Sequence, residues 1–227
     1  MAILVVSKRK IKRWFFVLLV FFVLLAVVVF FLQGHWQRRV QRDLFVQDVL
    51  GLPVHTVLLP EASEARPGIE REIRYVVIHE TGNMSRGADA VAHSEYLLSG
   101  KSGGTSWHYT VDDRQVYHHI PDTEVAWHAG DRRVRGGGNM AGIGIELCVN
   151  TDGDFEETFR NAAKLTAYLL DSYGLSTGDI RQHADFLDKN CPETIRDNNR
   201  MAEFVALSDT FLKELRQAKQ EASSEAN

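Results

Sequence analysis

Cysteine is scarce in this 227-residue chain: Cys148 and Cys191 are the only two. There is no Cys-x-x-Cys and no His-Glu-x-x-His, so the short spacings that make a zinc site specific by themselves are missing. One disulfide is the most the chain can form. In an oxidising compartment Cys148–Cys191 is that alternative, and it would remove Cys191 as a ligand. Acid is absent from residues 1–39, which hold seven of the 26 Lys and Arg. The remaining 19 face all 30 acids in residues 40–227, a net charge of −11. So acidic a domain argues against nucleic-acid binding, which needs a basic face, and against adsorption on anionic lipid. Internal repeats and low-complexity tracts are also absent.

The clearest segment is apolar. Trp14 to Leu32 is an unbroken run of nineteen residues, long enough to cross a bilayer as a helix. Lys8, Arg9, Lys10, Lys12 and Arg13 precede it, which places the N-terminus in the cytoplasm. Gln33 to Trp36 form an interfacial cluster after it, followed by Arg38 and Arg39. A cleavable signal peptide has a shorter apolar region, about 7–15 residues, ending in small side chains, whereas this run ends Val-Val-Val-Phe-Phe-Leu. The expected organisation is a basic cytoplasmic segment (1–13), a transmembrane signal anchor (14–32), an extracytoplasmic stalk or entry segment (33–65), a catalytic domain (66–220) and a polar tail (221–227). Within the stalk, 40–50 reads as a short helix and 51–67 is mixed, with Pro53, Pro60 and Pro67.

Strand and helix patterns alternate along the domain. Ile73–Glu80 reads as a strand with Tyr75, Val77 and His79 on one face. Residues 89–99, closed by Gly100, fit a helix with a glycine stop. Residues 107–112 and 115–119 form a hairpin around Asp113-Arg114, and 142–150 is another strand. Phe155–Tyr173 is a long amphipathic helix stopped by Gly174, 179–182 is a short strand, and 201–219 is a terminal helix. The fold class is α/β: a central mixed β-sheet flanked by helices, preceded by the N-terminal transmembrane helix.

Three residues carry the strongest chemical signal. Arg74-Tyr-Val-Val-Ile-His79 is a buried strand that delivers an imidazole at its end, and His183 and Cys191 lie eight positions apart in a loop able to fold back towards it. Two neutral nitrogens and one soft sulfur suit Zn²⁺, and three protein ligands leave a fourth position open for water. In Ile143-Gly-Ile-Glu-Leu-Cys-Val149, alternation puts Gly144, Glu146 and Cys148 on the face opposite Ile143, Ile145, Leu147 and Val149. A mid-strand carboxylate is costly unless paired or functional, and a zinc hydrolase needs such a base. Gly144 beside it reads as an opening for substrate. Lys189 can stabilise an oxyanion. Trp127 and His128 read as a cleft rim that packs on substrate and hydrogen-bonds it. His93, His118 and His119 read as structural, and His108 as near the site without being a ligand.

Five segments together resemble a known family. They are Val76-Val-Ile-His-Glu-Thr-Gly-Asn83, Ser106-Trp-His-Tyr-Thr-Val-Asp-Asp113, Val125-Ala-Trp-His-Ala-Gly-Asp131, Gly142-Ile-Gly-Ile-Glu-Leu-Cys-Val-Asn150 and His183 to Pro192. Their order is similar to that of zinc N-acetylmuramoyl-L-alanine amidases, the family of phage endolysins, bacterial autolysins and peptidoglycan recognition proteins. The likeness covers roughly residues 66–200. It implies a peptidoglycan hydrolase that cleaves the amide between N-acetylmuramic acid and L-alanine, and with the apolar run at 14–32 the expectation is a membrane-anchored member in a bacterial cell. It also implies His79, His183 and Cys191 as zinc ligands, Glu146 as catalytic carboxylate and Lys189 as the transition-state-stabilising position. Trp107 stands where some members have a catalytic tyrosine. Indole cannot exchange a proton in that role, so proton transfer falls on Glu146 and Trp107 is expected to line the cleft by stacking.

Overall fold

Seven short runs, most of them rich in β-branched and aromatic residues, pair into one sheet in the computed structural model: β1 (Val46–Val49), β2 (Leu52–Thr56), β3 (Tyr75–Glu80), β4 (Tyr109–Val111), β5 (Val116–His118), β6 (Gly142–Leu147) and β7 (Ile180–Gln182). Leu18, residues 21–28 and residues 46–225 are described. The chain divides into two compact units, Met1–Leu44 and Phe45–Asn227. The described residues of the first are helical; the rest of the expected span at 14–32, the basic segment 1–13 and residues 33–45 lie outside the described residues. Among the described residues no helix is long and apolar enough to cross a membrane.

The strand order is β1-β2-β5-β4-β6-β3-β7. The β1–β2 and β4–β5 pairs are antiparallel, and the other four are parallel, so the sheet is mixed as expected. Its edge is a correction to the expected stalk. β1 and β2 fall inside 33–65, and Val49, Leu52 and Val54 join the core; the sheet thus begins at Val46 rather than near Arg66. The helix expected over 40–50 is a strand from Val46 to Val49. Leu50 and Gly51 both take positive φ, 54° and 76°, which is what a two-residue hairpin turn of the right twist requires. Asp48 ties it by accepting from the Gly51 N–H at 2.8 Å.

Two of the helices begin at aspartate caps. α1 (Ala90–Leu98) starts at Asp89, whose side chain accepts from the Ala92 N–H. α2 is a single turn, Gly138–Ala141. α3 (Phe155–Ser172) starts at Asp154, which accepts from the Glu156 and Glu157 N–H groups, satisfying orphan donors of the first turn. α4 is Glu193–Asp197 and α5 is Met201–Glu225, so the expected polar tail is helical as far as 225. On one face of the sheet Val76, Ile78, Ile143, Ile145 and Leu147 form the core with Phe159, Leu165 and Leu169 of α3 and Phe204 and Phe211 of α5. Phe159 and Phe204 meet edge to face, 5.2 Å between ring centres. Because side chains alternate along a strand, Val77, His79, Gly144 and Glu146 point to the opposite face. There α1 and the connecting loops build a smaller cluster of Leu59, Leu97, Trp107, Ile120 and Ala126.

Candidate active site

The register of three parallel strands builds the floor. His79 of β3 pairs with Glu146 of β6, and Glu146 with Thr110 of β4, so the three side chains stand in one row on one face. The row lies near the C-terminal ends of these strands, where open α/β sheets hold ligands. β7 runs beside β3 with Gln182 opposite Ile78, and the chain leaves β7 at His183. The following loop folds back on itself, the Ala184 N–H donating to the Cys191 carbonyl at 3.1 Å. Glu80 then fixes the chain beyond Cys191: its carboxylate accepts from the Thr194 and Ile195 N–H groups at 2.8 and 3.0 Å.

Residues 104 and 112 positions from His79 thereby meet it. His79 Nδ1 lies 3.0 Å from His183 Nδ1 and 3.9 Å from Cys191 Sγ. The three ligand atoms fall within 4.8 Å of one another, and all three residues are buried. Glu146 Oε1 stands 4.0 Å from His79 Nδ1, and its buried Oε2 has no hydrogen-bond partner.

Burial decides the charge states. It holds the His79 imidazole well below the ordinary histidine value, helped by His128, His183 and the Lys189 charge. His183 falls to about 4, chiefly by burial and then by Lys189, with a backbone hydrogen bond at Ala129 opposing. Burial raises the Cys191 thiol to about 12 and Glu146 adds to the rise. Burial also lifts Glu146 to about 7, Lys189 pulling it down and Glu80 pushing it up. Two neutral imidazoles therefore face each other nitrogen to nitrogen beside a thiol that only a cation would ionise. The donor set fits a zinc ion with one open position.

Several expected substrate contacts are placed elsewhere. His128 is 6% exposed and is not a rim residue. Its Nδ1 is 2.9 Å from His79 Nε2 and its Nε2 is 3.1 Å from the Gly142 carbonyl, so neither nitrogen is free for substrate. Gly144 does not open a cleft: a Cβ there would lie 2.7 Å from His128 Cγ, so the missing side chain is what lets the ring lie on β6. Trp107 is also an interior residue, 6% exposed in the cluster with Leu59 and Leu97, and its indole N–H donates to Thr110 Oγ1 at 2.6 Å. A tryptophan satisfied inside packs in the interior cluster on this face, beside Thr110, instead of stacking on substrate. Trp127 is half-buried with the Arg133 guanidinium 5.6 Å above its ring. Lys189 is exposed on the ligand loop, close enough for its charge to lower the pKa of Glu146 and Cys191. His108 sits on this face, its Nδ1 accepting from the Gly144 N–H at 3.0 Å. Cys148 and Cys191 are both free thiols, and Cys148 packs with Ala90 and Tyr117.

The supporting residues Asn139 and Asp131 escaped the sequence reading. Asn139 Oδ1 accepts from the His128 and Ala129 N–H groups at 2.8 and 2.7 Å. Asp131 in turn accepts from the Gly138 and Asn139 N–H groups at 2.6 and 3.2 Å. The available signal was an Asp ahead of a glycine run that ends in Asn at a helix start.

The N-acetylmuramoyl-L-alanine amidase family model matches residues 69–194. The chain is 41% identical over 139 residues to the N-acetylmuramoyl-L-alanine amidase XlyA of Bacillus subtilis (strain 168), covering 61% of this chain and 46% of that protein. It is 37% identical over 157 residues to CwlH, an N-acetylmuramoyl-L-alanine amidase of the same strain, covering 69% of this chain and 62% of that one. The chain thus spans about half to three-fifths of the length of these relatives. The solved catalytic domain of XlyA superposes with a TM-score of 0.64 at 37% identity, over 68% of this chain and 98% of that domain. The matched region contains β3, β4, β6, β7 and every residue of the His79–Glu146–His183–Cys191 cluster, and the chain belongs to the N-acetylmuramoyl-L-alanine amidase family.

Proposed function

We propose that this protein is a zinc-dependent peptidoglycan hydrolase that cleaves the amide between N-acetylmuramic acid and the L-alanine of the stem peptide. The observation that carries this reading is the buried cluster of His79, His183 and Cys191 with the Glu146 carboxylate 4.0 Å from His79 Nδ1. His79, His183 and Cys191 would hold a zinc ion, which supplies a Lewis acid that polarises the scissile carbonyl and acidifies water. Glu146 takes the proton of the attacking water and returns it to the departing alanine amine. A carboxylate held at about 7 suits both halves of that transfer, since a shuttle works best near the operating pH. The Lys189 ammonium stabilises the developing oxyanion. The apolar run at 14–32 with its basic flank acts as a signal anchor in the bacterial membrane, tethering the acidic domain outside, within reach of the inner wall layers.

The test uses residues 40–227 purified and incubated with peptidoglycan. Chelator-sensitive exposure of L-alanine amino groups, abolished by Glu146→Gln, is the expected result. Retention of muropeptide with zinc bound but no new amino groups would replace the enzyme with a binding module.

A further inference from the structure

We infer that His128 is a positioning residue for the metal site: it fixes the His79 ring in the tautomer whose Nδ1 lone pair faces His183 and Cys191. The inference rests on the zinc reading above and assigns a ring that touches a ligand residue without joining the ligand set.

The chain of hydrogen bonds ends on a carbonyl acceptor. The Gly142 oxygen can only accept, so His128 Nε2, 3.1 Å away, must carry the proton. A second proton on His128 would leave an unpaired cation buried against another imidazole. His128 Nδ1 is therefore a lone pair, and His79 Nε2 at 2.9 Å donates to it. What remains on His79 is the Nδ1 lone pair, 3.0 Å from His183 Nδ1 and 3.9 Å from Cys191 Sγ. The opposite tautomer would set two lone pairs against each other at His128 and aim an N–H where the metal belongs. An outer partner of this kind fixes both tautomer and ring orientation of a ligating histidine.

The device is itself held in place. The rings of His79 and His128 meet at 89° with centres 4.9 Å apart. Asn139 grips the backbone on both sides of the His128 peptide unit through the His128 and Ala129 N–H groups, and Asp131 pins Asn139. Gly144 gives the ring its bed, since a Cβ there would meet Cγ, Nδ1 and Cδ2 at 2.7 to 2.9 Å. Residues 128–144 thus place one imidazole whose only reachable job is to orient another.

The experiment compares the full chain with His128→Leu and His128→Gln. Zinc affinity is read by competition with a chromogenic chelator, and the His79 tautomer by two-bond ¹H–¹⁵N correlation in the metal-free protein. His128→Leu is expected to weaken zinc binding about 10–100-fold. Glutamine, whose amide offers one acceptor and one donor, is expected to recover most of that loss. His79 of the unsubstituted, metal-free chain is expected to carry its proton on Nε2, and in His128→Leu to show both tautomers. Unchanged zinc affinity in His128→Leu, or a proton on Nδ1 of His79 in the unsubstituted chain, would overturn the assignment. If His128→Leu does not fold, the unsubstituted chain's tautomer and the glutamine variant decide. An unsubstituted chain that binds no zinc, or binds it as well after Cys191→Ser, removes the zinc reading; the tautomer result then still decides what His128 does to His79.

Discussion

On the face of the sheet covered by α3 and α5, Val76, Ile78, Ile143 and Ile145 meet Phe159, Leu169 and Phe204, and the core is apolar. One residue further along the same strands, Val77, His79, Gly144 and Glu146 face the other way. That side buries His79, His108, His119, His128 and His183. The first face is held by burial, which is non-directional and proportional to area. The second is held by directional hydrogen bonds: the His79 ring donates to the His128 ring, the His128 N–H to Asn139 Oδ1 and the Asn139 N–H to the Asp131 carboxylate. A single strand therefore serves stability with one set of alternate residues and chemistry with the other. The polar face contributes less to stability per residue, because each buried nitrogen must first recover the hydrogen bond it gave up to water. It leaves Glu146 Oε2 without a hydrogen-bond partner among the described residues.

Substitutions that strike one face alone break this division most clearly. Glu146→Gln should lower the amide-hydrolysis rate about 10²–10⁴-fold, the usual worth of a general acid–base group. The melting temperature should hold or rise, because a buried carboxylate is replaced by a neutral amide. Rate and melting measured on the same preparation check both. Phe159→Ala is its counterpart on the apolar face. It should cost about 3–5 kcal/mol in urea unfolding, with zinc affinity of the folded protein unchanged.

Metal removal sharpens the comparison next. Zinc held at a hundred times its dissociation constant should stabilise the fold by about 2.7 kcal/mol, an increment lost on chelation and absent in His183→Ala. The pH profile follows in size. Glu146 must be ionised to act as base, and burial holds it at about 7. The rate should therefore climb about tenfold for each unit of pH below that value and flatten above it. An alkaline plateau beginning near 5 would show that bound metal holds the carboxyl far lower. The smallest effect belongs to a helix cap: Asp154→Ala, which removes the acceptor for the Glu156 and Glu157 N–H groups, should cost about 1 kcal/mol and leave the rate untouched.

Much of the site was legible as residue chemistry. His79 stood out because an imidazole ended an apolar strand, Glu146 because a carboxylate interrupted one, and Cys191 because a thiol shared a polar loop with His183. The glycine stops at Gly100 and Gly174 were equally plain, since helix termination by glycine is a local event. The edge hairpin was harder. Its Leu50-Gly51 turn needs a non-glycine residue at positive φ, which no propensity rule favours.

The amino-acid order by itself determined which atoms could bind a soft cation, which strands alternate and where glycine ends the helices at 100 and 174, because each depends on side-chain chemistry or on neighbours within a few residues. Only the tertiary structure decided that His128 contacts His79 and the Gly142 carbonyl, that Gly144 leaves room for the His128 ring, and that Trp107 is buried beside Thr110. His128 and His79 stand 49 positions apart, and a hydrogen bond across that distance leaves no period in the sequence. It is set by strand register and by which carbonyl happens to face the second nitrogen of the ring.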